Sequence, residues 1–139
     1  PGVMETLTLL RSEGYRMAVC TNKPIAATNI VLKALDLTQF FDAVTGGDTF
    51  PVRKPDPGHV IGTLELLGAG AAYAIMIGDS INDVAAATDA GLAVVAVTYG
   101  YTRTPVHELG ADLVIDAFDK FPAAIAELEN NASKSKQIV

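Results

Sequence analysis

Hydrophobic positions along the chain change rhythm repeatedly, from a helical repeat to short apolar runs and back. Val3, Leu7 and Leu10 share one face, with Met4 and Leu9 beside them, and Gly14 stops the run; this predicts an amphipathic helix over 3–13. Arg16 to Cys20 is a short apolar run ending in polar residues, as a buried strand does. Pro24 suits the first turn of a helix that continues to Leu35, with apolar residues at 30, 31, 32 and 35. Ala43 to Thr45 is a brief strand closed by Gly46-Gly47, and the turn formers from Asp48 to Pro57 make a loop. Asp56 caps the next helix, which carries Val60, Ile61, Leu64 and Leu67 on one side.

The second half repeats the scheme. A strand over 73–77 is broken by Gly78, an Ala-rich helix over 81–90 is stopped by Gly91, and 92–97 is an unbroken apolar strand. A loop over 98–105 and a short helix to Leu109 lead to a last strand over 113–115. Phe118, Phe121, Ile125 and Leu128 line a final helix. The residues over 130–139 are polar and are expected to fray, leaving residues 1–129 as the folded core. Strands alternate with helices, and the strands are continuously apolar, so both of their faces are covered. That pattern predicts an α/β fold, a doubly wound parallel sheet with helices on either side.

Composition narrows the function. A chain of 139 residues, half of them hydrophobic, is one domain with room for a sizeable core. The net charge is −6, no basic cluster exceeds Arg53-Lys54, and Trp is absent. Nucleic acid and anionic membrane are therefore poor partners. No apolar run approaches the ~20 residues that cross a bilayer. Cys20 is the sole cysteine and cannot form an internal disulfide, so a reducing cytoplasm is the expected location.

In open α/β sheets, ligands bind beyond the carboxyl ends of the strands. Three turns then fall along one rim. Thr21-Asn22 precedes the helix opening at Pro24, where a hydroxyl, an amide and free backbone N–H groups suit an anion, or serve only as a cap. Lys54 sits in a loop stiffened by Pro51, Pro55 and Pro57; a fixed ammonium can neutralise a phosphoryl group, although a surface lysine is the plain alternative. Asp79 follows Gly78, and Asp83 lies four residues on, on the same side of the emerging helix. Two carboxylates so placed repel unless a cation or hydrogen-bond donors offset them, and Mg²⁺ favours one or two carboxylates with waters and phosphate oxygens. The alternative is a capping Asp with a solvated neighbour. Together the three turns suit phosphoryl transfer, which rests on positioning and charge stabilisation.

Other chemistries fail on spacing. Cys20 lacks the Arg that a cysteine phosphatase needs at the close of its loop, since position 26 is Ala, and it reads as core. Gly68-Ala69-Gly70 follows a helix, not a strand, and is no dinucleotide fingerprint. His59 and His107 have no ligand spacing and are expected at the surface.

The motifs Cys20-Thr21-Asn22-Lys23-Pro24, Arg53-Lys54-Pro55-Asp56-Pro57 and Gly78-Asp79-Ser80-Ile81-Asn82-Asp83, in that order and spacing, resemble the haloacid dehalogenase superfamily of hydrolases. The resemblance is greatest to its phosphoglycolate phosphatase branch, and runs from Pro1 to about Leu128. It implies a Rossmann-like core and a Mg²⁺-dependent phosphomonoester hydrolase that works through an aspartyl-phosphate on a small phosphorylated substrate. It assigns phosphate binding to Thr21, Asn22 and Lys54, with Lys54 bridging phosphate and nucleophile. It gives Asp79 to Mg²⁺, and Asp83 to metal-bound water or Lys54. The Gly46-Gly47-Asp48 turn matches a further feature of the superfamily near the site.

One departure is large. The superfamily's first motif, D-x-D-x-T, is missing: no two Asp residues here are separated by a single residue. That motif supplies the nucleophile, the general acid/base and further Mg²⁺ contacts. Pro1-Gly2-Val3 resembles the sequence that follows the helical cap of this branch. The chain thus reads as the C-terminal portion of a core that lacks its first, central strand and the cap, and it is expected to be inactive alone. The strands over 16–20 and 73–77 would then expose inner edges, to be covered by an N-terminal segment, by a second copy, or by closing on each other. The competing function is a non-catalytic phosphate- or partner-binding fragment.

Overall fold

A computed structural model describes residues 2–99, 105–131 and 137–139. The loop expected over 98–105 lies largely outside them. The elements are α1 (Val3–Ser12), β1 (Arg16–Cys20), α2 (Ile25–Ala34), β2 (Ala43–Thr45), α3 (Pro57–Leu67), β3 (Ala74–Gly78), α4 (Ile81–Ala90), β4 (Ala93–Val97), β5 (Leu113–Ile115), α5 (Phe121–Asn131) and β6 (Gln137–Ile138). Most fall where the hydrophobic rhythm puts them. The short helix before Leu109 is a single 3-10 turn, and the final helix begins at Phe121, after another such turn.

Among the described residues the sheet is wholly parallel, in the order β2-β1-β6-β3-β4-β5. Side chains alternate across it. Met17, Ile75 and Val95 point to one face and pack with Leu7 and Leu10 of α1 and with Phe121 and Ile125 of α5. Ala74, Met76 and Val94 point to the other and pack with Val60 and Leu64 of α3 and with Val84 and Ala87 of α4. The helices thus cover both faces, as a continuously apolar parallel sheet requires. Ile61 departs from the expected buried stripe of α3 and is 43% exposed, since that stripe centres on Val60, Leu64 and Leu67.

Two expectations for the chain's end need correction. The tail beyond 129 does not simply fray: α5 continues to Asn131, and Gln137–Ile138 form a strand. Nor is the centre of the sheet left open or closed by direct pairing of β1 with β3. Ile138 pairs with Met17 on one side and Ile75 on the other, and Val139 exchanges backbone hydrogen bonds with Ile75 and Ile77. The physical reason lies in Ile138 and Val139, both 5% exposed: two apolar residues at the end of a polar stretch gain burial and satisfy two strand edges at once.

Candidate active site

The carboxyl ends of β1 and β3 open on a cavity of about 710 Å³, lined by Thr21, Asn22, Lys54, Asp79 and Asp83 among others. Every residue singled out on the three turns therefore lies at one place. Apolar and aromatic side chains, Ile77, Val97, Tyr99 and Phe118, form much of the remaining wall; those of Tyr99 and Phe118 carry no motif and were not anticipated.

Lys54 is the structural centre of this rim. It is 8% exposed, and its Nζ donates to the Cys20 carbonyl at 2.7 Å and to Asp83 Oδ1. An ammonium has three donors, so among the described residues one remains for a ligand. The backbone of Lys54 is held as well: Asn22 Nδ2 donates to its carbonyl at 2.8 Å, and its N–H donates to His59 Nδ1 at 3.3 Å. Asn22 Oδ1 is buried with no hydrogen-bond partner among the described residues, leaving one acceptor beside the cavity unused by them.

Asp83 is fixed by the start of α4. Ser80 caps that helix, and Asp83 returns to it in a capping box. Asp83 Oδ2 accepts from the Asp79 N–H at 3.0 Å and from the Ser80 N–H at 3.3 Å. Burial alone would raise its pKa; the neighbouring ammonium of Lys54, the hydrogen bond to it and the Asp79 N–H outweigh burial and hold the carboxyl below its ordinary value. The predicted repulsion between Asp79 and Asp83 is thus met by Lys54. Gly78 is what lets Asp83 lie so close, since a Cβ there would stand 2.5 Å from the Asp83 side chain.

The first turn is less open to an anion than the sequence suggests. Thr21 Oγ1 accepts from the Lys23 N–H at 3.2 Å, and the first N–H of α2, at Ile25, already donates to Asp48 Oδ1 at 2.8 Å. Asp48 of the Gly46-Gly47-Asp48 turn therefore caps α2 with a carboxylate. The two glycines are needed for that approach: a Cβ on Gly46 would stand 2.4 Å from Ile25 N, and one on Gly47 would stand 2.1 Å from Asn22 O. His59 corrects a further expectation. It is fully buried on α3, while His107 is exposed. The signal was present: His59 and Thr63 are four residues apart and flank the buried Val60 and Leu64.

Of the described lining residues, Lys54 carries one positive charge and Asp79 and Asp83 carry two negative ones, a sum of −1. A phosphate of about two negative charges is poorly held there without a further cation. The donors suit a hard one. Asp79 could supply a carboxylate oxygen, and Mg²⁺ accepts one or two carboxylates with waters and phosphate oxygens for the rest. No group of three or more His, Cys, Asp or Glu residues that could hold a metal occurs among the described residues, so a closed all-protein cage is not what this rim offers.

Comparison with known proteins follows the same line. Residues 1–97 match the family model described as haloacid dehalogenase-like hydrolase. The chain is 46% identical over 127 residues to a phosphoglycolate phosphatase of Agrobacterium fabrum, covering 91% of this chain and 54% of that protein. It is 44% identical over 128 residues to one of Caulobacter vibrioides, covering 92% and 54%. Among solved structures, a predicted phosphoglycolate phosphatase from Haemophilus somnus aligns with a TM-score of 0.86 at 35% identity, over 89% of this chain and 56% of that one. CbbY from Rhodobacter sphaeroides, solved in complex with phosphate, aligns with a TM-score of 0.78 at 27% identity, over 87% and 55%. The chain spans little more than half the length of the curated relatives it matches.

Proposed function

The chain belongs to the haloacid dehalogenase-like hydrolase family, and on that premise we propose that it is the phosphate-handling portion of a Mg²⁺-dependent phosphomonoester hydrolase of the phosphoglycolate phosphatase kind. The observation that carries this reading is Lys54: a buried ammonium, clamped at backbone and side chain, on the rim it shares with Thr21, Asn22 and Asp79. In this reading Thr21, Asn22 and the third donor of Lys54 bind the transferring phosphoryl group. Asp79 would hold Mg²⁺ through its carboxylate, and Asp83 orients Lys54. Bound Mg²⁺ would add positive charge for the phosphoryl oxygens to a lining whose charges, Lys54 included, sum to −1. The nucleophilic Asp that forms the aspartyl-phosphate comes from a segment other than these 139 residues, or from another chain. The favoured substrate is 2-phosphoglycolate, by likeness to the relatives so named. A cytoplasmic location is part of the reading, and the unpaired, buried thiol of Cys20 suits it.

A second reading, a non-catalytic phosphate- or partner-binding module, is favoured by one observation. Gln137–Ile138 occupy the middle of the sheet, where the family resemblance puts the strand with the nucleophile. Turnover separates the two. The 139-residue chain should hydrolyse no phosphomonoester with Mg²⁺. Joined to a segment bearing D-x-D-x-T and a helical cap, it should hydrolyse 2-phosphoglycolate, and Asp79→Ala should abolish that activity. A joined protein that folds and turns nothing over favours the second reading.

A further inference from the structure

Behind the rim lies a buried polar chain that the proposed chemistry does not use. His59 Nε2 is 3.2 Å from Thr45 Oγ1, Thr45 Oγ1 is 2.7 Å from Thr63 Oγ1, and Thr63 Oγ1 donates to the His59 carbonyl at 2.8 Å. His59, Thr45 and Thr63 are all fully buried. One assignment of these bonds, anchored at the Lys54 N–H, gives every proton a place. The Lys54 backbone N–H can only donate, so Nδ1 of His59 must be a bare acceptor. The proton of a neutral imidazole then sits on Nε2 and is donated to Thr45 Oγ1. The Thr45 hydroxyl passes its own proton to Thr63 Oγ1 in preference to the Val19 carbonyl, which is 3.4 Å away. The Thr63 proton ends on the His59 carbonyl. The hydrogen bonds run in one direction from Lys54 and leave no donor over.

We propose that His59 is a positioning residue for Lys54: a neutral imidazole with its proton on Nε2, whose Nδ1 holds the Lys54 backbone in the place from which the ammonium reaches both the Cys20 carbonyl and Asp83. The phosphate role of Lys54 rests on the reading given above; the positioning does not. A flexible lysine gives up much rotamer freedom when fixed, and a backbone held at both N–H and carbonyl removes part of that cost before a ligand arrives.

An imidazolium would turn an N–H of Nδ1 against the N–H of Lys54 and break the hold. The surroundings oppose that form: burial first, then the Lys54 ammonium, push the pKa of His59 down, against the backbone carbonyl of Gly46. The other titratable groups linked to it are the buried thiol of Cys20 on β1, through Thr45 and Thr63, Asp83 on α4, through Lys54, and Asp56 at the start of α3, whose backbone carbonyl accepts the His59 N–H.

The test uses the 139-residue chain labelled with ¹⁵N. The His59 ring should show an unprotonated Nδ1 and a protonated Nε2 at about pH 7 to 8, and the Lys54 amide should be protected from exchange. Two variants separate the ring nitrogens. His59→Asn keeps an acceptor near the Nδ1 position, whereas His59→Gln keeps only a group near Nε2. His59→Asn should retain Lys54 amide protection and bind inorganic phosphate within about twofold of the parent, while His59→Gln should lose the protection and bind roughly tenfold more weakly. A protonated Nδ1 in the parent, or equal behaviour of the two variants, would overturn the proposal. If neither variant folds, the ring spectrum of the parent still decides it. If the parent binds no phosphate, the functional reading fails, and the ring spectrum and Lys54 amide still judge the positioning.

Discussion

The Lys54 ammonium and the Asp83 carboxylate form an ion pair almost closed to solvent, with side-chain exposures of 7% and 11%. It joins the loop after β2 to the first turn of α4. Its worth to stability is asymmetric. Removing one partner leaves a buried charge alone, which costs about 3–5 kcal/mol, whereas replacing both by apolar groups is often close to neutral. Asp83→Ala should therefore destabilise the chain severely, and the double variant Lys54→Met with Asp83→Leu should be more stable than either single one. Urea denaturation of the parent, Asp83→Ala, the two single variants and the double, five proteins, measures this.

The pH dependence of stability should show two separate windows. Asp83 has a depressed pKa in the fold, so its contribution is complete above the ordinary aspartate value near 3.8 and is lost as pH falls through its lower folded value. His59 is held below 6.5, so the unfolded chain takes up its proton first, and stability declines as pH falls below about 6.5. Urea midpoints should fall with pH in both ranges. His59→Asn should flatten the upper window alone, and Asp83→Asn the lower.

Glycines at the rim act through close approach. Gly78→Ala sets a Cβ 2.5 Å from the Asp83 side chain, and Gly47→Ala sets one 2.1 Å from the Asn22 carbonyl oxygen. Each should cost about 1–3 kcal/mol, as overpacking does. Amide exchange should also rise locally, at Asp79 and Ser80 in the first case and at Lys54 in the second. Gly14→Ala is the contrast: among the described residues nothing beyond its chain neighbours lies within 4 Å of the added Cβ, and its positive φ of 89° is what opposes the change.

Ile138 is 5% exposed and pairs with both β1 and β3. Ile138→Asp places a carboxylate between two strands with no cation described beside it. Loss of the central pairing should expose the β1 and β3 edges, seen as faster exchange at Met17 and Ile75 and as aggregation at high concentration.

Much of this was legible in the sequence because it rests on local rules. The parallel α/β fold follows from apolar runs such as 93–97 alternating with helices bounded by Gly14, Asp56 and Gly91. The three turns could be placed together because strand ends of one sheet must share a rim. What escaped needed contacts distant in the chain. A polar tail gave no sign that Ile138 would find a gap some 60 residues back, beside Ile75. His59 reads as a surface residue until Thr45 and the Lys54 N–H are seen to satisfy it. The helix opening after Pro24 reads as an anion site until Asp48 is found on its first N–H.

The phosphate site is tested most directly by titrating the ¹⁵N-labelled chain with inorganic phosphate in the presence of Mg²⁺ and following every amide. Shifts should concentrate at Thr21, Asn22, Lys54 and the stretch from Gly78 to Asp83, and should vanish with Lys54→Met. Shifts gathered on another face, or a response indifferent to Lys54→Met, would contradict a common phosphate site at the ends of β1 and β3.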